Sequence, residues 1–297
     1  MTPAKERWKG HLAMLGFSLG IAGSFSLGSQ VANLISPVAI TAARFMFTAI
    51  LLGAVVLLLR KVKRSHLEAS WRYAVAGALM AVYFVLMFVA LRTTSAVSTS
   101  AVFTLTPLMS GAFAWFLLRQ TMTRRMAVAL CTGAAGAIWV IFDADVGALL
   151  SFRVGSGELT FFVGCVAHAF YTPFLRRANR GEPPVVFVFG MVVTGTVILL
   201  IYGWRDVSGT QWLELPSLVW ITIAYVTMIA TLLTFVAVNY ASLRLPSAKV
   251  MAYTYLTPSW VILWEFAFGN ALPSMPILAG ILVTIVALVM LLGADGE

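Results

Sequence analysis

The chain has 297 residues, of which 61% are hydrophobic and only 10% charged, with a formal net charge of +9 and a mean hydropathy of +0.94. A soluble domain carries about 25% charged residues, so this chain lacks the polar surface of a soluble fold and reads as an all-α integral membrane protein. Its two cysteines, Cys131 and Cys165, both fall in apolar runs, which argues against a disulfide framework and against a metal site, since structural zinc takes about four ligands.

A spanning helix needs about 20 predominantly apolar residues, and the runs can be taken in order. The first, 12–32, follows the basic KERWK. It exceeds the roughly 7–15 residues of a signal-peptide core and reads as a retained helix. Its Gly16, Gly20 and Gly23 form a small-residue stripe suited to close helix packing. The second run, 37–59, carries Arg44 inside one end, where a long side chain pairs structurally or snorkels. The third and fourth, 71–91 and 95–117, are separated by only a few residues, and Tyr83 sits at mid-depth in the third. After 124–142 comes 157–176, where His168 and Tyr171 share a helix face. A lone histidine there is either a satisfied packing residue or a ligand group at mid-membrane. The runs 183–203 and 216–240 follow, with Asn239 deep in the second of them. The ninth, 246–268, sets Lys249, Tyr253, Trp260 and Trp264 at spacings that keep them on one helical face. Two readings of that face stand: an ammonium for a substrate carboxylate with rings for stacking, or a snorkelling lysine beside an interfacial aromatic belt. Glu265 lies away from this face and reads as structural. The last run is 273–293, and ten runs leave little chain for any extramembrane domain.

Two of these runs are broken alike. Leu105-Thr106-Pro107 and Leu256-Thr257-Pro258 place their prolines 151 residues apart. Proline has no N–H, so each deprives the carbonyl four residues earlier of its helical partner, here Phe103 and Thr254. In hydrocarbon a freed carbonyl is tolerated where side chains, water or a cavity satisfy it, so Pro107 and Pro258 are candidate kink or gating positions; ordinary packing is the other reading. The same offset matches Ala90 with Ala241 and Ala101 with Ala252. It divides the chain into halves, 1–150 and 151–297, of five helices each. An odd number per half inverts the second, giving an inverted 5+5 repeat, a construction typical of secondary transporters with a midplane site between the halves.

Charge sets the orientation. With the N-terminus inside, fifteen of the twenty Lys and Arg fall in cytoplasmic segments and only Arg92, Arg153 and Arg205 outside. That bias predicts both termini in the cytoplasm. The positive charge is thus an orientation signal and no nucleic-acid surface. The chain has no GxxxxGK[ST], no HExxH and no catalytic cluster, so neither ATP hydrolysis nor other enzyme chemistry is expected, and no cofactor is implied.

ALRTTSA and FTLTPLMSGAFAWFLL within 90–118, YASLRLPSAKV and YLTPSW within 240–260, SPVAITAARFMFTAILL (36–52) and GELTFFVGCVAHAFYTPFLRR (157–177) together resemble the drug/metabolite transporter superfamily, EamA type. The resemblance spans essentially the whole chain and implies ten helices and export or exchange of small metabolites. Among its branches the likeness is to the bacterial exporters of aromatic amino acids (YddG-type). One departure is plain. The family often has Gly-Glu near the ends of the fourth and ninth helices, where this chain has Arg119-Gln120 and Gly269-Asn270-Ala271, so no role of that glutamate carries over.

The expectation is therefore an exporter in a bacterial inner membrane, working by alternating access on amino acids, aromatic ones above all. Substrate-binding candidates are Tyr83, His168, Tyr171, Asn239, Lys249, Tyr253, Trp260 and Trp264. The alternatives are efflux of lipophilic or cationic drugs and, outside transport, a membrane enzyme or receptor subunit. The partners expected are a small-molecule substrate and the bilayer, with a monomer compatible with the sequence. The shortage of acidic residues in the spans favours a gradient-driven facilitator.

Overall fold

The computed structural model of the chain describes residues 4–58, 66, 68–150 and 154–293. Arg60, Lys61, Lys63, Arg64 and Arg153, which entered the orientation argument, and the end of the second run at 59 lie outside the described residues. The described residues form helices α1 (Ala4–Val31), α2 (Pro37–Leu58), α3 (Trp71–Ala90), α4 (Ala96–Leu118), α5 (Arg124–Ile141), α6 (Ser156–Ala178), α7 (Pro184–Tyr202), α8 (Ser217–Ser242), α9 (247–267) and α10 (Met275–Leu292). Nine of them are continuous enough, long enough and apolar enough to cross a membrane. The remaining one, α9, is apolar but interrupted by a 3₁₀ turn at Tyr253–Leu256. Large apolar side chains such as Ile50, Leu57, Phe116, Ile201, Leu263 and Val289 are exposed along the helices. Helices that are apolar both inward and outward are those that sit in lipid.

Local chemistry sets the helix ends. Ser95 and Thr123 cap α4 and α5, their side chains accepting from the N–H groups of Ser98 and Met126. Arg119, in the left-handed region at φ 54°, ends α4. The α1 helix begins about two turns before its apolar run, because a polar turn can remain helical beyond the hydrocarbon. Short helices at Val146–Leu150 and Trp204–Gly209 occupy connections that the sequence reads as loop.

Both Leu-Thr-Pro sequences break their helices. In α4 the helix stops at Phe103 and restarts at Thr106, and the freed Phe103 carbonyl accepts the Thr106 hydroxyl at 2.6 Å. In α9 the freed Thr254 carbonyl accepts the Thr257 N–H instead, in 3₁₀ fashion.

The packed pairs repeat. Replacing each helix by the one five places away turns α3–α6 into α8–α1, α3–α7 into α8–α2, α4–α6 into α9–α1 and α4–α5 into α9–α10, all of which are packed. The pairs α2–α7, α4–α9 and α5–α10 map onto themselves. Close approach at α5–α10 depends on glycine: a Cβ on Gly136 would lie 2.7 Å from the Gly280 carbonyl oxygen. On α1, Gly23 makes room for the ring of Tyr225 of α8, whose hydroxyl donates to the Gly20 carbonyl at 2.9 Å; Gly20 itself faces Ile229, and Gly16 meets nothing within 4 Å.

Contacts between connections sort into two sets. At the end carrying the chain termini, Arg72 pairs with Glu182 at 2.5 Å, Arg176 donates to the Leu245 carbonyl and the Ser247 N–H donates to Gln120. At the other end, Arg92 donates to the Ala32 carbonyl at 3.0 Å, Ser36 donates to Asp206, and Thr94 and Ser98 donate to Glu158. Helices that run alternately up and down produce this sorting.

Candidate functional site

Aromatic rings fill the middle of the bundle, where α3, α4, α6 and α8 meet. Tyr83 of α3 lies 4.6 Å from Phe84, 5.6 Å from both Phe103 of α4 and Phe161 of α6, and 4.6 Å from His168, centroid to centroid. His168 also meets Phe103 at 5.1 Å and Tyr171 at 6.3 Å, and Tyr171 reaches Phe235 of α8 at 6.4 Å. Asn239 follows one turn after Phe235 and is fully buried. Helix periodicity puts His168 and Tyr171 on one face of α6, and it turns that face toward Tyr83.

Polar atoms in this apolar setting are left unused. The Tyr83 and Tyr171 hydroxyls, His168 Nδ1 and both side-chain heteroatoms of Asn239 are buried and have no hydrogen-bond partner among the described residues. Each such group costs on the order of 1–3 kcal/mol. Structural tyrosines and asparagines normally find partners, so several orphans gathered among rings mark this group as the candidate site.

Beside this group, Arg44 of α2 is fully buried, its guanidinium 3.6 Å above the Phe84 ring. Its Nε and Nη2 donate to Thr231 Oγ1 at 2.9 and 2.6 Å, and Nη2 also donates to the Ala230 carbonyl at 3.1 Å. These acceptors belong to a π-helical segment of α8, Met228–Leu233. A π turn displaces carbonyls from the regular ladder and recurs at functional sites. Neither snorkelling nor an ion pair describes Arg44: no carboxylate among the described residues pairs with it.

The α9 candidates are placed differently. Tyr253 Oη is 3.0 Å from His11 Nδ1 of α1, and Trp260 Nε1 donates to Ser18 Oγ of α1 at 3.3 Å. Trp264 packs edge-on against Tyr225 at 5.7 Å. These three rings share a face, as the spacing predicts, and that face meets α1 and α8 away from the Tyr83–His168 rings. Lys249 lies in the buried first segment of α9, with its ammonium screened from solvent, so it does not snorkel. Glu265 accepts from Asn270 at 2.6 Å near the α9–α10 connection. Sequence reading passed over Phe84, Phe103, Phe161 and Phe235, which look like any apolar helix residue. It also passed over Pro173 inside α6, visible as Tyr171-Thr172-Pro173.

Cavities open toward both ends of the bundle. One of about 260 Å³ at the end carrying the termini is lined by Gln120, Thr121, Met122, Arg176 and Pro246. A larger one of about 440 Å³ at the opposite end is lined by Thr94, Ser98, Asp143, Asp145 and Glu158.

Comparison with known proteins gives this arrangement a family. The EamA-like transporter family matches twice, over residues 8–142 and 155–293. The chain belongs to the EamA-like transporters. It is 24% identical over 275 residues to the uncharacterized transporter YyaM of Bacillus subtilis (strain 168), covering 92% of this chain and 90% of that one. It is 26% identical over 247 residues to the uncharacterized transporter YvbV of the same organism, covering 80% and 78% of the two chains. A solved crystal structure with 18% identity superimposes with a TM-score of 0.73 over 100% of both chains, a likeness of fold. As an EamA-like transporter the protein is a multi-pass membrane protein that handles a small-molecule substrate, and it is not an enzyme. The two matched segments hold α1–α5 and α6–α10, so the central group draws Arg44 and Tyr83 from one and His168, Tyr171 and Asn239 from the other.

Proposed function

We propose that this EamA-like transporter exports aromatic amino acids by alternating access, with its solute held between two inverted five-helix halves, 1–150 and 151–297. The observation that carries the reading is the set of unfilled hydrogen-bonding groups on Tyr83, His168, Tyr171 and Asn239 inside a cage of rings drawn from both halves. An amphipathic solute with one ring stacks there while its polar end supplies the missing partners. The exchange-related packing supports a pseudo-two-fold relation between the halves, and binding at such a repeat interface is the transporter pattern. Lys249 and Asn239 lie toward the end carrying the termini and meet a solute entering from that side. Tyr253, Trp260 and Trp264 complete the proposed path along α9, and the breaks at Pro107 and Pro258 act as its hinges. The protein works in a bacterial inner membrane as a facilitator, with both termini cytoplasmic, and needs neither cofactor nor metal.

Flux into proteoliposomes tests this. Labelled tryptophan and phenylalanine should move down their gradients, and His168→Ala and Lys249→Met should each reduce that flux while the protein remains monodisperse. A lipophilic cation should be moved poorly and be indifferent to Lys249→Met. Transport of the cation with none of the amino acids would establish drug efflux in its place.

A further inference from the structure

The guanidinium of Arg44 is half used. An arginine has five N–H donors in a planar fork. The Nε and Nη2 edge is committed to Thr231 Oγ1, the Ala230 carbonyl and, at 3.4 Å, the Val226 carbonyl. Nη1 is buried and has no hydrogen-bond partner among the described residues. All the acceptors are neutral, so they fix the orientation of the guanidinium and leave its charge uncompensated. Phe84 covers one face at 3.6 Å, which favours a cation over the ring but again cancels no charge.

A tether between α2 and α8 would not need this design. A glutamine or a second threonine would join the helices without placing a full positive charge in the membrane interior, which is costly by any scale. The α8 helix even gives up regular geometry to grip one edge of the fork: Thr231, inside the π segment, donates its Oγ1 hydroxyl to Val226 O, five residues back and ahead of that segment. What remains is a rigidly held, desolvated cation with one free donor group. Two orphan hydroxyls belong to residues that adjoin its partners. Tyr83 is next to Phe84, and Thr227 is next to Val226 and shares its helix with Thr231. Those hydroxyls belong to the same two helices that hold the guanidinium's partners, and the ring cluster continues from Phe84 through Tyr83 to His168.

We propose that Arg44 is the anion anchor of the transport site: Nη1 takes the carboxylate of a monoanionic or zwitterionic solute whose aromatic part lies among the Tyr83–His168 rings. This rests on the reading of that cluster as the solute site, and it names the chemical group that the solute must carry. A lone cation suits one negative charge, since charge-assisted hydrogen bonds gain most where water is absent. A dianionic phosphate would leave a second charge buried and uncompensated.

The test compares three indole solutes on the purified protein in nanodiscs: tryptophan, indole-3-propionate without the amine, and tryptamine without the carboxylate. Wild-type protein should bind the two carboxylates at least about tenfold more tightly than tryptamine. In Arg44→Met that gap should close, with tryptamine affinity largely kept, and Arg44→Lys should restore part of it. The wild-type comparison stands even if Arg44→Met does not fold. Equal wild-type affinity for tryptophan and tryptamine, or an undiminished gap in a folded Arg44→Met, would overturn the anchor while leaving an aromatic site intact. Wild-type protein that binds none of the three would overturn both the anchor and the aromatic reading.

Discussion

The hydroxyls of Thr106 and Thr254, 148 residues apart in the chain, lie 3.3 Å from each other, so the two proline breaks meet where α4 crosses α9. The carbonyls they free are handled differently. Thr106 donates its hydroxyl to Phe103 O, whereas the hydroxyl of its counterpart Thr257 has no partner among the described residues. Replacing Thr106 with valine should therefore cost about 1–3 kcal/mol by orphaning that carbonyl. Thr257→Val should be close to neutral, because it removes an unsatisfied group. Thermal unfolding of the two variants in detergent measures the difference, and equal losses would mean that the hydroxyl bond contributes nothing.

The spans were legible because hydrocarbon thickness dictates run length: the run 37–59 is Pro37–Leu58 in the fold, and 216–240 is Ser217–Ser242. The breaks at Pro107 and Pro258 were legible because proline lacks the N–H that a regular helix needs there, although Pro173 is held inside α6 without ending it. The site was legible only in part. His168, Tyr171 and Tyr83 stood out as polar residues in apolar surroundings, and they do come together. Arg44 was conspicuous too, but its role depends on the π segment, and Met-Ile-Ala-Thr-Leu-Leu has no local signature that separates π from α. Periodicity also kept the α9 rings in line without saying which neighbour they would face, since spacing fixes a face and only packing chooses its partner.

At the end carrying the termini, Arg72 and Glu182 form a buried ion pair at 2.5 Å, with side chains 2% and 1% exposed. Arg72 also donates to the carbonyls of Ala178 and Ala69. Glu182→Ala should destabilise the protein by roughly 3–5 kcal/mol, because it leaves a buried guanidinium uncompensated. The double variant Arg72→Met/Glu182→Met should unfold at a higher temperature than either single replacement. A single variant that unfolds with the wild type would show that the pair is solvated in the membrane.

Topology can be read chemically. With Cys131 and Cys165 replaced, Val146→Cys should react with an impermeant maleimide on intact cells, and Arg180→Cys only after permeabilisation. Both positions are exposed, on connections at opposite ends of the bundle. Labelling of both from the same side would break the alternating ten-helix arrangement.

Asp143 lies outside the spans, and partial burial, followed by the nearby Glu158, raises its pKa above the usual carboxylate value. A raised carboxyl pKa means that the folded state holds its proton more tightly than the unfolded chain, so the ionised group weakens folding as pH rises through that range. Asp143→Asn should therefore raise the melting temperature at neutral pH. The gain should disappear as pH falls below about 3.9, where the unfolded carboxyl is also protonated. Asparagine tolerates the positive φ of 51° at this position. A gain independent of pH would assign the effect to something other than charge.

Glu265 Oε2 accepts from Asn270 near the α9–α10 connection, which fits a structural reading of this carboxylate. Glu265→Gln should leave tryptophan flux in proteoliposomes nearly intact, and an imposed pH gradient should not drive accumulation above equilibrium. Uphill uptake abolished by this substitution would make the protein a proton-coupled exchanger.

The π segment has one more consequence. Walls related by a two-fold axis offer a small solute two equivalent poses, each the other turned by half a revolution, and a site of that kind cannot tell head from tail. Here the degeneracy is lifted. The helix α8, with its wide turn, has six more residues than its mate α3, a regular helix over Trp71–Ala90. The mate of α2, α7, has no charged residue to answer Arg44. If Arg44 is the anchor proposed above, a solute meets one polar address rather than two and travels with a defined polarity, although the packing of the helices around it nearly repeats under the half turn.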